Sequence, residues 1–271
     1  MSTLNVFIIT GASEGIGAEM ARQLASRYKA QAALVLAARN QSALQEVANQ
    51  CRYYGSQCII VRTDVGVESD CRQLVKTCIE EFGRLDVLIN NAGKSAQALF
   101  SEVEDLAWYQ ELMRINFWGS VWCTHAALPY LKQTHGQIVA VSSLAGLIGV
   151  PGRTAYSSTK FAMNGFFESL RTELADSGVR VTLAYPGVVA TRIRYNGFNA
   201  AGAAAGSSGL KEDDAMSVEE CASLILHGME NGSRDVVMTT RGKLGRWLKL
   251  LIPGAVDKMA MAALKKEVRP H

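Results

Sequence analysis

The chain has 271 residues, of which 48% are hydrophobic and 20% charged, so it has enough apolar side chains for a large buried core. This composition, with only 5 prolines, excludes a disordered, fibrous or proline-rich linker protein. The net charge of +3 is too small to indicate a nucleic-acid partner. Residues 241–271 hold eight Lys or Arg and two Asp or Glu, a net of +6, which leaves −3 for residues 1–240.

The cysteines and the first residues indicate where the protein works. There is no Cys-x-x-Cys pair and the four histidines lack metal-ligand spacing, so we expect reduced core thiols and no metal. No run approaches the ~18 apolar residues of a membrane-spanning helix, and no targeting segment precedes the first predicted strand. We therefore expect a cytoplasmic protein. The cysteines are Cys51, Cys58, Cys71, Cys78, Cys123 and Cys221.

Seven short apolar runs rich in β-branched residues predict strands with helical stretches between them. Continuous apolar runs are typical of strands covered on both faces, and regular alternation of strand and helix is typical of a parallel sheet. The sequence therefore predicts one doubly wound α/β domain with a seven-stranded, mostly parallel sheet and helices on both faces. The predicted strands cover residues 6–10, 33–39, 58–64, 86–90, 137–143, 179–185 and 235–240.

Apolar spacing predicts helices over residues 15–26, 40–55, 68–82 and 156–175. The last of these has apolar residues on nearly every face, which favours burial, partly in a subunit interface. We therefore expect a homo-oligomer, a dimer or tetramer. Residues 191–217 are rich in glycine and alanine, and a loop this long in a compact domain is predicted to be a substrate lid.

A glycine-rich turn follows the first predicted strand, in the sequence Thr-Gly-Ala-Ser-Glu-Gly-Ile-Gly at residues 10–17. Its glycines allow a tight turn, close approach of an anion and close helix packing, and the free N–H groups of the helix start face the anion. The turn predicts binding of a dinucleotide pyrophosphate, although a plain strand–helix turn is the alternative. The predicted contacts are Gly11, Ser13, Gly15, Ile16 and Gly17.

The end of the second predicted strand indicates which dinucleotide binds. An acidic residue there would hold the ribose 2′-OH of NAD, whereas an arginine suits the 2′-phosphate of NADP. The strand ends in Arg39 and lacks the acid, which predicts NADP(H). Two observations weigh on the other side: a single arginine is commonly a solvated surface residue, and the Glu14 carboxylate would repel a 2′-phosphate.

A tyrosine, a lysine and a serine form a candidate catalytic group. Tyr156 and Lys160 are four residues apart, so they share one helix face. A nearby ammonium lowers the pKa of a phenol, ordinarily about 10, and lets it exchange a proton with an alcohol oxygen. Ser143, at the end of the fifth predicted strand, would lie on the ligand side and reach a substrate carbonyl. For an isolated match, an amphipathic surface pair would be the simpler interpretation.

Taken in order, these motifs resemble the short-chain dehydrogenase/reductase family, over roughly residues 4–240. The resemblance implies a Rossmann-like fold, with Tyr156 as general acid/base and Lys160 binding the nicotinamide ribose and lowering the pKa of the tyrosine. It also implies that Ser143 orients the substrate oxygen and that Asn116 supports a proton-relay water. The supporting motifs are the 10–17 turn, Asp64, Asn-Asn-Ala-Gly at 90–93, Asn116, Ser142 and Ser143, Tyr156 with Lys160, and Pro-Gly-Val-Val-Ala-Thr at 186–191.

The same resemblance implies further cofactor contacts. Structural hydrogen bonding is the alternative role for Asn91 and Asn116, and residues 90–93 could be only a strand-end turn. The implied contacts are Asp64 and Val65 at the adenine, Asn91, Ala92 and Gly93 along the cofactor, and Pro186, Gly187, Val189 and Thr191 at the nicotinamide end.

Residues 144–167 look most like the hydroxysteroid and lipid-ketone reductases, which implies a hydrophobic substrate. The membrane-bound members of that subgroup have an anchor, and none precedes Val6. We expect the substrate pocket to be formed by residues 94–100, 146–154 and 191–217.

The sequence thus predicts an NADP(H)-dependent oxidoreductase that transfers a hydride between nicotinamide and a secondary alcohol or ketone. Residues 1–240 would be the dinucleotide-binding catalytic domain and residues 241–271 a basic amphipathic helical extension of it. A non-catalytic NADPH-binding sensor on the same fold is the alternative. A methyltransferase is disfavoured because it would have no use for Tyr156 and Lys160.

The C-terminal extension allows two interpretations. If it is helical, its basic residues lie near one face and its leucines with Trp247 fill the other. Such a helix can make peripheral membrane contact, here through residues 242–267. We favour packing over the pocket or against a partner subunit, and either arrangement predicts that Trp247 and Leu251 are buried in the free protein.

Overall fold

The computed structural model of the chain describes residues 4–207 and 215–267. Its centre is one seven-stranded sheet in the order β3-β2-β1-β4-β5-β6-β7, and every pairing of neighbouring strands is parallel. The chain crosses from β3 at one edge back to β4 beside β1, so the strand order reverses between β1 and β4. The strands are β1 Asn5–Thr10, β2 Ala32–Ala38, β3 Gln57–Arg62, β4 Val87–Asn90, β5 Gln137–Val141, β6 Arg180–Tyr185 and β7 Asp235–Val237.

Helices cover both faces of this sheet. Along β1, Phe7 and Ile9 face the core under α1, α2 and α7, while Val6 and Ile8 face the core under α3, α5 and α6. This alternation confirms the predicted doubly wound fold. The helices are α1 Gly15–Tyr28, α2 Gln41–Tyr53, α3 Glu68–Phe82, α4 Ala107–Met113, α5 Gly119–Thr134, α6 Thr154–Glu173, α7 Val218–Glu230, α8 Thr240–Leu251 and α9 Pro253–Glu267.

The cysteines bear out the expectation of core thiols, because all six are free and buried. Cys71 and Cys78 of α3 pack in the core with Leu74, as the helical spacing predicts. Within residues 4–207 and 215–267, no helix is long and apolar enough to cross a bilayer.

The predicted lid is only partly described, since residues 208–214 of it lie outside the described residues. Its first part lies against the body of the domain. The N–H of Gln97 donates to the carbonyl of Phe198 at 2.9 Å, and the N–H of Phe198 donates to the carbonyl of Ser95 at 2.9 Å. The ring of Phe198 packs beside Trp108 in a small apolar cluster. Closure over a substrate stays a prediction.

The C-terminal extension is helical, as predicted, but its orientation differs from the prediction. Helix α8 packs on the loop that follows β5 through its small residues, and a Cβ added to Gly245 would lie 2.7 Å from Ile148. Trp247 and Leu251 are 65% and 76% exposed, so the predicted burial of these two side chains is wrong for the single chain. The reason is that glycines, which permit close approach, form the packed face and leave the large apolar side chains outside.

The basic residues of α8 also take part in this packing. The Arg246 guanidinium pairs with the Asp235 carboxylate at 2.9 Å. The Lys249 ammonium donates to the carbonyl of Leu147 at 3.1 Å and lies 4.7 Å from the centroid of the Phe161 ring. Two of the basic residues that suggested lipid binding, Arg246 and Lys249, therefore make contacts within the domain.

Candidate active site

A cleft of about 920 Å³ opens at the carboxyl ends of the strands, where the strand order reverses. It runs from the glycine turn before α1 to Tyr156 at the start of α6. With two exceptions, Gly17 and Asn116, every predicted site residue lines it. The predicted residues that line it are Gly11, Ser13, Gly15, Ile16, Arg39, Asp64, Val65, Asn91, Ala92, Gly93, Ser143, Tyr156, Lys160, Pro186, Gly187, Val189 and Thr191.

The glycine turn has the backbone shape that only glycine adopts readily. Gly11 and Gly15 have φ values of 67° and 56°, and a Cβ on Gly11 would lie 2.8 Å from Cα of Ala92. The Glu14 side chain precedes α1 but makes no capping hydrogen bond, so the first N–H groups of the helix face the cleft without a side-chain cap. Gly17 packs instead, since its Cβ would lie 2.5 Å from the Asn91 amide nitrogen.

Hydrogen bonds join the ends of β1 and β4 beside this turn. The Thr10 hydroxyl oxygen accepts from the N–H groups of Asn91 and Ala92, each at 3.0 Å. The Asn91 side-chain amide donates to the carbonyl of Thr10 at 3.0 Å. The side chain of Asn91 therefore has a structural role. Its hydrogen bonds fix the backbone of residues 91 and 92 where it lines the cleft.

Arg39 and Glu14 line the cleft on the side of the glycine turn, and both side chains are exposed. Asp64 lies on the neighbouring strand end, where its Oδ1 accepts from the N–H of Gly66 at 2.9 Å. The Arg39 guanidinium, which would attract a 2′-phosphate, and the Glu14 carboxylate, which would repel it, thus line the same cleft.

Tyr156, Ser143 and Lys160 meet at one wall of the cleft. The Lys160 ammonium is buried, lies 5.8 Å from the centroid of the Tyr156 ring and donates to the carbonyl of Val141 at 2.9 Å. Burial lowers the pKa of Lys160 to about 8. The spacing of residues 143, 156 and 160 therefore brings the three side chains to one place.

The pKa of Tyr156 differs in direction from the prediction. Burial raises it, and a hydrogen bond with Ser143 and the charges of Arg153 and Arg194 lower it by less. Burying a phenolate is unfavourable, and this effect on the pKa is larger than the stabilisation of the phenolate by Ser143 and the two arginines. The tyrosine is thus held as a neutral phenol at neutral pH.

Asn116 is buried outside the cleft, in a π-helical turn over residues 114–118 between α4 and α5. Its Oδ1 accepts from the N–H of Lys94 at 2.8 Å, and its Nδ2 donates to the carbonyl of Lys94 at 2.9 Å. Nδ2 also donates to the Thr159 hydroxyl at 3.0 Å. The side chain therefore fixes the segment after β4 to α6, and its role in a water relay stays a prediction.

Four cationic cleft residues were not singled out from the sequence, although they lie in the predicted pocket segments. They are Lys94, Arg153, Arg192 and Arg194. The signal for Arg153 was its position, one helical turn before Tyr156. Nothing in the composition of residues 191–217 distinguishes Arg194 from the exposed Arg192 beside it.

Comparison with known proteins agrees with this geometry. A family model described as short chain dehydrogenase matches residues 5–202. The "11-beta-hydroxysteroid dehydrogenase A" of Sesamum indicum is 37% identical over 258 residues, which cover 93% of this chain and 73% of the relative. The "11-beta-hydroxysteroid dehydrogenase-like 4A" of Arabidopsis thaliana is 38% identical over 250 residues, covering 92% and 81%. A "Dehydrogenase/reductase SDR family protein 7-like" of Dictyostelium discoideum is 32% identical over 271 residues, covering 96% and 83%.

Two solved structures share the fold. An alcohol dehydrogenase from Thermococcus sibiricus, complexed with 5-hydroxy-NADP, superposes with a TM-score of 0.75 at 24% identity, covering 87% of this chain and 96% of that one. A short chain dehydrogenase/reductase from Burkholderia phymatum, in complex with NAD, has a TM-score of 0.80 at 22% identity, covering 94% and 95%. The fold, the ordered motifs and the match over residues 5–202 lead to one conclusion: the chain belongs to the short chain dehydrogenase family of oxidoreductases.

Proposed function

We propose that the protein is an NADP(H)-dependent oxidoreductase that transfers a hydride between nicotinamide and a secondary alcohol or ketone of apolar character. The observation that carries this proposal is the meeting of Tyr156, Ser143 and Lys160 in the same cleft as the glycine turn of α1. The names of the Sesamum and Arabidopsis relatives support an alcohol/ketone reaction on an apolar substrate.

The residues present fit a dinucleotide. Gly11 has no room for a side chain, and Gly15 has a positive φ that disfavours one. The first turn of α1 faces this turn with N–H donors, and the cleft volume lies in the range of ~300–1,000 Å³ typical of ligand pockets. In this proposal Asp64 and Val65 contact the adenine, and residues 186–191 hold the nicotinamide end. When bound, the nicotinamide supplies the carbon that gives or takes the hydride.

Tyr156 moves the proton in this proposal. During reduction, its neutral hydroxyl donates a proton to the carbonyl oxygen while the carbonyl carbon accepts the hydride, and the resulting phenolate then takes a proton from solvent. The raised pKa of Tyr156 suits this direction because the acid form predominates at neutral pH. The Ser143 hydroxyl orients the substrate oxygen, and the buried Lys160 ammonium holds the nicotinamide ribose.

Arg39 supports the preference for NADP(H). Its exposed guanidinium lines the cleft beyond the carboxyl end of β2, where the 2′-phosphate of an adenosine ribose would lie. The two solved structures carry an NADP derivative and NAD respectively, so both cofactors occur on this fold.

We further propose a cytoplasmic homo-oligomer, with peripheral membrane contact through residues 242–267 as the alternative. The buried free cysteines are in keeping with a reducing compartment. Exposed Trp118 and Phe161, near α5 and on α6, and the exposed apolar face of α8 support a surface that is covered by a partner or a lipid layer.

NADPH oxidation with a panel of steroid, lipid and aromatic ketones tests the function. We expect turnover of at least one class. Tyr156→Phe should abolish it while NADPH binding, measured by fluorescence titration, changes little. Tyr109→Phe is the matched control, because that hydroxyl bonds to Thr154 at 2.7 Å and does not line the cleft. Cofactor binding without turnover of any ketone would favour the non-catalytic sensor.

A further inference from the structure

A side pocket of about 430 Å³ opens beside the cleft, at the glycine turn. The residues that line both spaces come from two parts of the chain. They are Glu14 and Gly15 of the glycine turn, and Thr191 and Arg192 at the beginning of segment 191–217. Arg192 is therefore a cation at the boundary of the two spaces, beside the turn that is predicted to bind a pyrophosphate.

The backbone around Arg192 is held against this turn. A Cβ on Gly15 would lie 3.4 Å from Cγ2 of Thr191, so residue 191 packs directly on the turn. The N–H of Thr191 donates to the carbonyl of Val189 at 2.8 Å, and the carbonyl of Arg192 accepts from the N–H of Asn196 at 3.1 Å. The Arg192 side chain is exposed. The main chain is thus fixed beside the turn, and the guanidinium extends from it into the space that a ligand can enter.

The charge at the glycine turn favours a role for this cation. The exposed Glu14 carboxylate lines both spaces and makes no capping hydrogen bond to α1, so its negative charge lies close to where an anion would bind. The start of a helix contributes only roughly half an elementary positive charge. This is less than is needed to offset both Glu14 and a pyrophosphate, since like charges repel. Arg192 supplies a full positive charge at the same boundary.

We propose that Arg192 binds the pyrophosphate of the nicotinamide dinucleotide, together with the N–H groups at the start of α1. The proposal rests on the oxidoreductase function given above, in which residues 186–191 hold the nicotinamide end of the cofactor. Arg192 follows directly on that segment, which places it next to the phosphates. A guanidinium fork presents two parallel N–H donors, which match two oxygens of a phosphate group.

This role differs from that of Arg39 in what each guanidinium recognises. Arg39 lines the cleft beyond the carboxyl end of β2, where NADP(H) but not NAD(H) carries a phosphate. The pyrophosphate is common to both dinucleotides. Loss of Arg192 should therefore weaken NADPH and NADH by a similar factor, whereas loss of Arg39 should change the ratio of the two affinities.

Fluorescence titration of NADPH and of NADH into the full chain tests this assignment without any substrate. We expect Arg192→Gln to weaken both roughly tenfold, because a charge-assisted contact is lost. Arg192→Lys should keep part of the affinity for both. Arg22→Gln is the matched control and should leave both affinities nearly unchanged. Arg22 lines the same side pocket, but its guanidinium already pairs with Glu19 at 3.1 Å and donates to Gln50 at 2.6 Å.

The Glu14→Gln variant separates a direct contact from an indirect one. If Arg192 binds the pyrophosphate, Arg192→Gln should weaken both dinucleotides in this background as well. A loss that disappears in this background would mean that Arg192 only neutralises Glu14, and would overturn the proposal.

The remaining outcomes are equally decisive. Urea unfolding should be nearly unchanged in Arg192→Gln, since the side chain is exposed. Unchanged binding of both dinucleotides to this folded variant would overturn the proposal and leave the oxidoreductase function intact. Weaker binding of NADPH alone would overturn it too, because it would assign Arg192 to the 2′-phosphate. If the unaltered chain bound neither dinucleotide, the proposed function itself would fail.

Discussion

The side-chain amide of Asn116 binds both backbone groups of Lys94, accepting from its N–H at 2.8 Å and donating to its carbonyl at 2.9 Å. The Asn116 side chain is buried, and removing its amide would leave both backbone groups of Lys94 without this partner. The clamp joins the segment after β4 to α6 through Thr159.

We expect Asn116→Ala to lower the free energy of unfolding by about 2 kcal/mol or more, because buried polar groups lose their partners. Thr159→Val, which removes only one of the three bonds, should cost less. Urea unfolding of the two variants checks the order. Equal losses would show that the Lys94 peptide contributes little to the clamp.

The pH dependence of turnover should have opposite signs in the two directions. The pKa of Tyr156 is raised, so reduction, which needs the phenol, should persist through neutral pH and fall as pH rises through that pKa. Oxidation needs the phenolate and should rise with pH. Initial rates in both directions, at saturating cofactor, check the signs. Profiles of the same sign would mean that another group transfers the proton.

Lys160 should add a second pH effect on cofactor binding. Its pKa is lowered to about 8, so the ammonium is present below that pH and is lost above it. We expect KM for NADPH to increase as pH rises through about 8. Lys160→Met should raise KM at neutral pH and remove this break, whereas a break that persists in the variant would belong to another residue.

Arg39→Ala should weaken NADPH binding roughly ten- to a hundredfold and barely change NADH binding, since a charge-assisted contact with the 2′-phosphate is lost. Arg62→Ala is the matched control, because this exposed arginine ends β3 and does not line the cleft. Glu14→Gln should strengthen NADPH binding modestly. Equal kcat/KM for the two cofactors in the unaltered protein would contradict the assignment.

The two faces of α8 should respond differently to substitution. Trp247→Gln with Leu251→Gln should change the free energy of unfolding by only about 0.5 kcal/mol, because both side chains are exposed. Gly245→Val should destabilise by about 1–3 kcal/mol, since its side chain would meet Ile148. Urea unfolding measures both.

The exposed face of α8 also needs a test of what covers it. Sedimentation of the full chain, with and without anionic vesicles, and of the Trp247/Leu251 double variant separates two cases. A smaller oligomer in the variant would indicate a subunit contact, and salt-sensitive vesicle binding that the variant loses would indicate lipid.

The sequence predicted the strands well because the central ones, such as β1, β4 and β5, are continuous apolar runs buried on both sides. Helix α5 was not predicted, since it lacks a polar stripe and contains Pro129. Tyr156, Lys160 and Ser143 could be found from the sequence, because Tyr156 and Lys160 share a helix face, Ser143 ends a predicted strand, and the order of the motifs resembles a known family. The hydrogen bonds between Asn116 and Lys94 could not be predicted from the sequence, because they depend on the π-helical turn that places Asn116 beside Lys94. The outward face of α8 was missed because glycine, not leucine, makes its packing surface.

The contact between α8 and the loop after β5 has a consequence for the reaction. That loop begins beside Ser143, and its residues Leu144 and Val150 line the cleft, while Lys249 binds the loop at Leu147. We therefore expect a contact that holds or displaces α8 from outside to alter this loop and, with it, the surroundings of Ser143. Thermodynamic linkage is reciprocal, so a substrate that orders the loop also favours the docked position of α8. Binding at the outer surface of α8 and binding of a ligand beside Ser143 would in this way be energetically coupled.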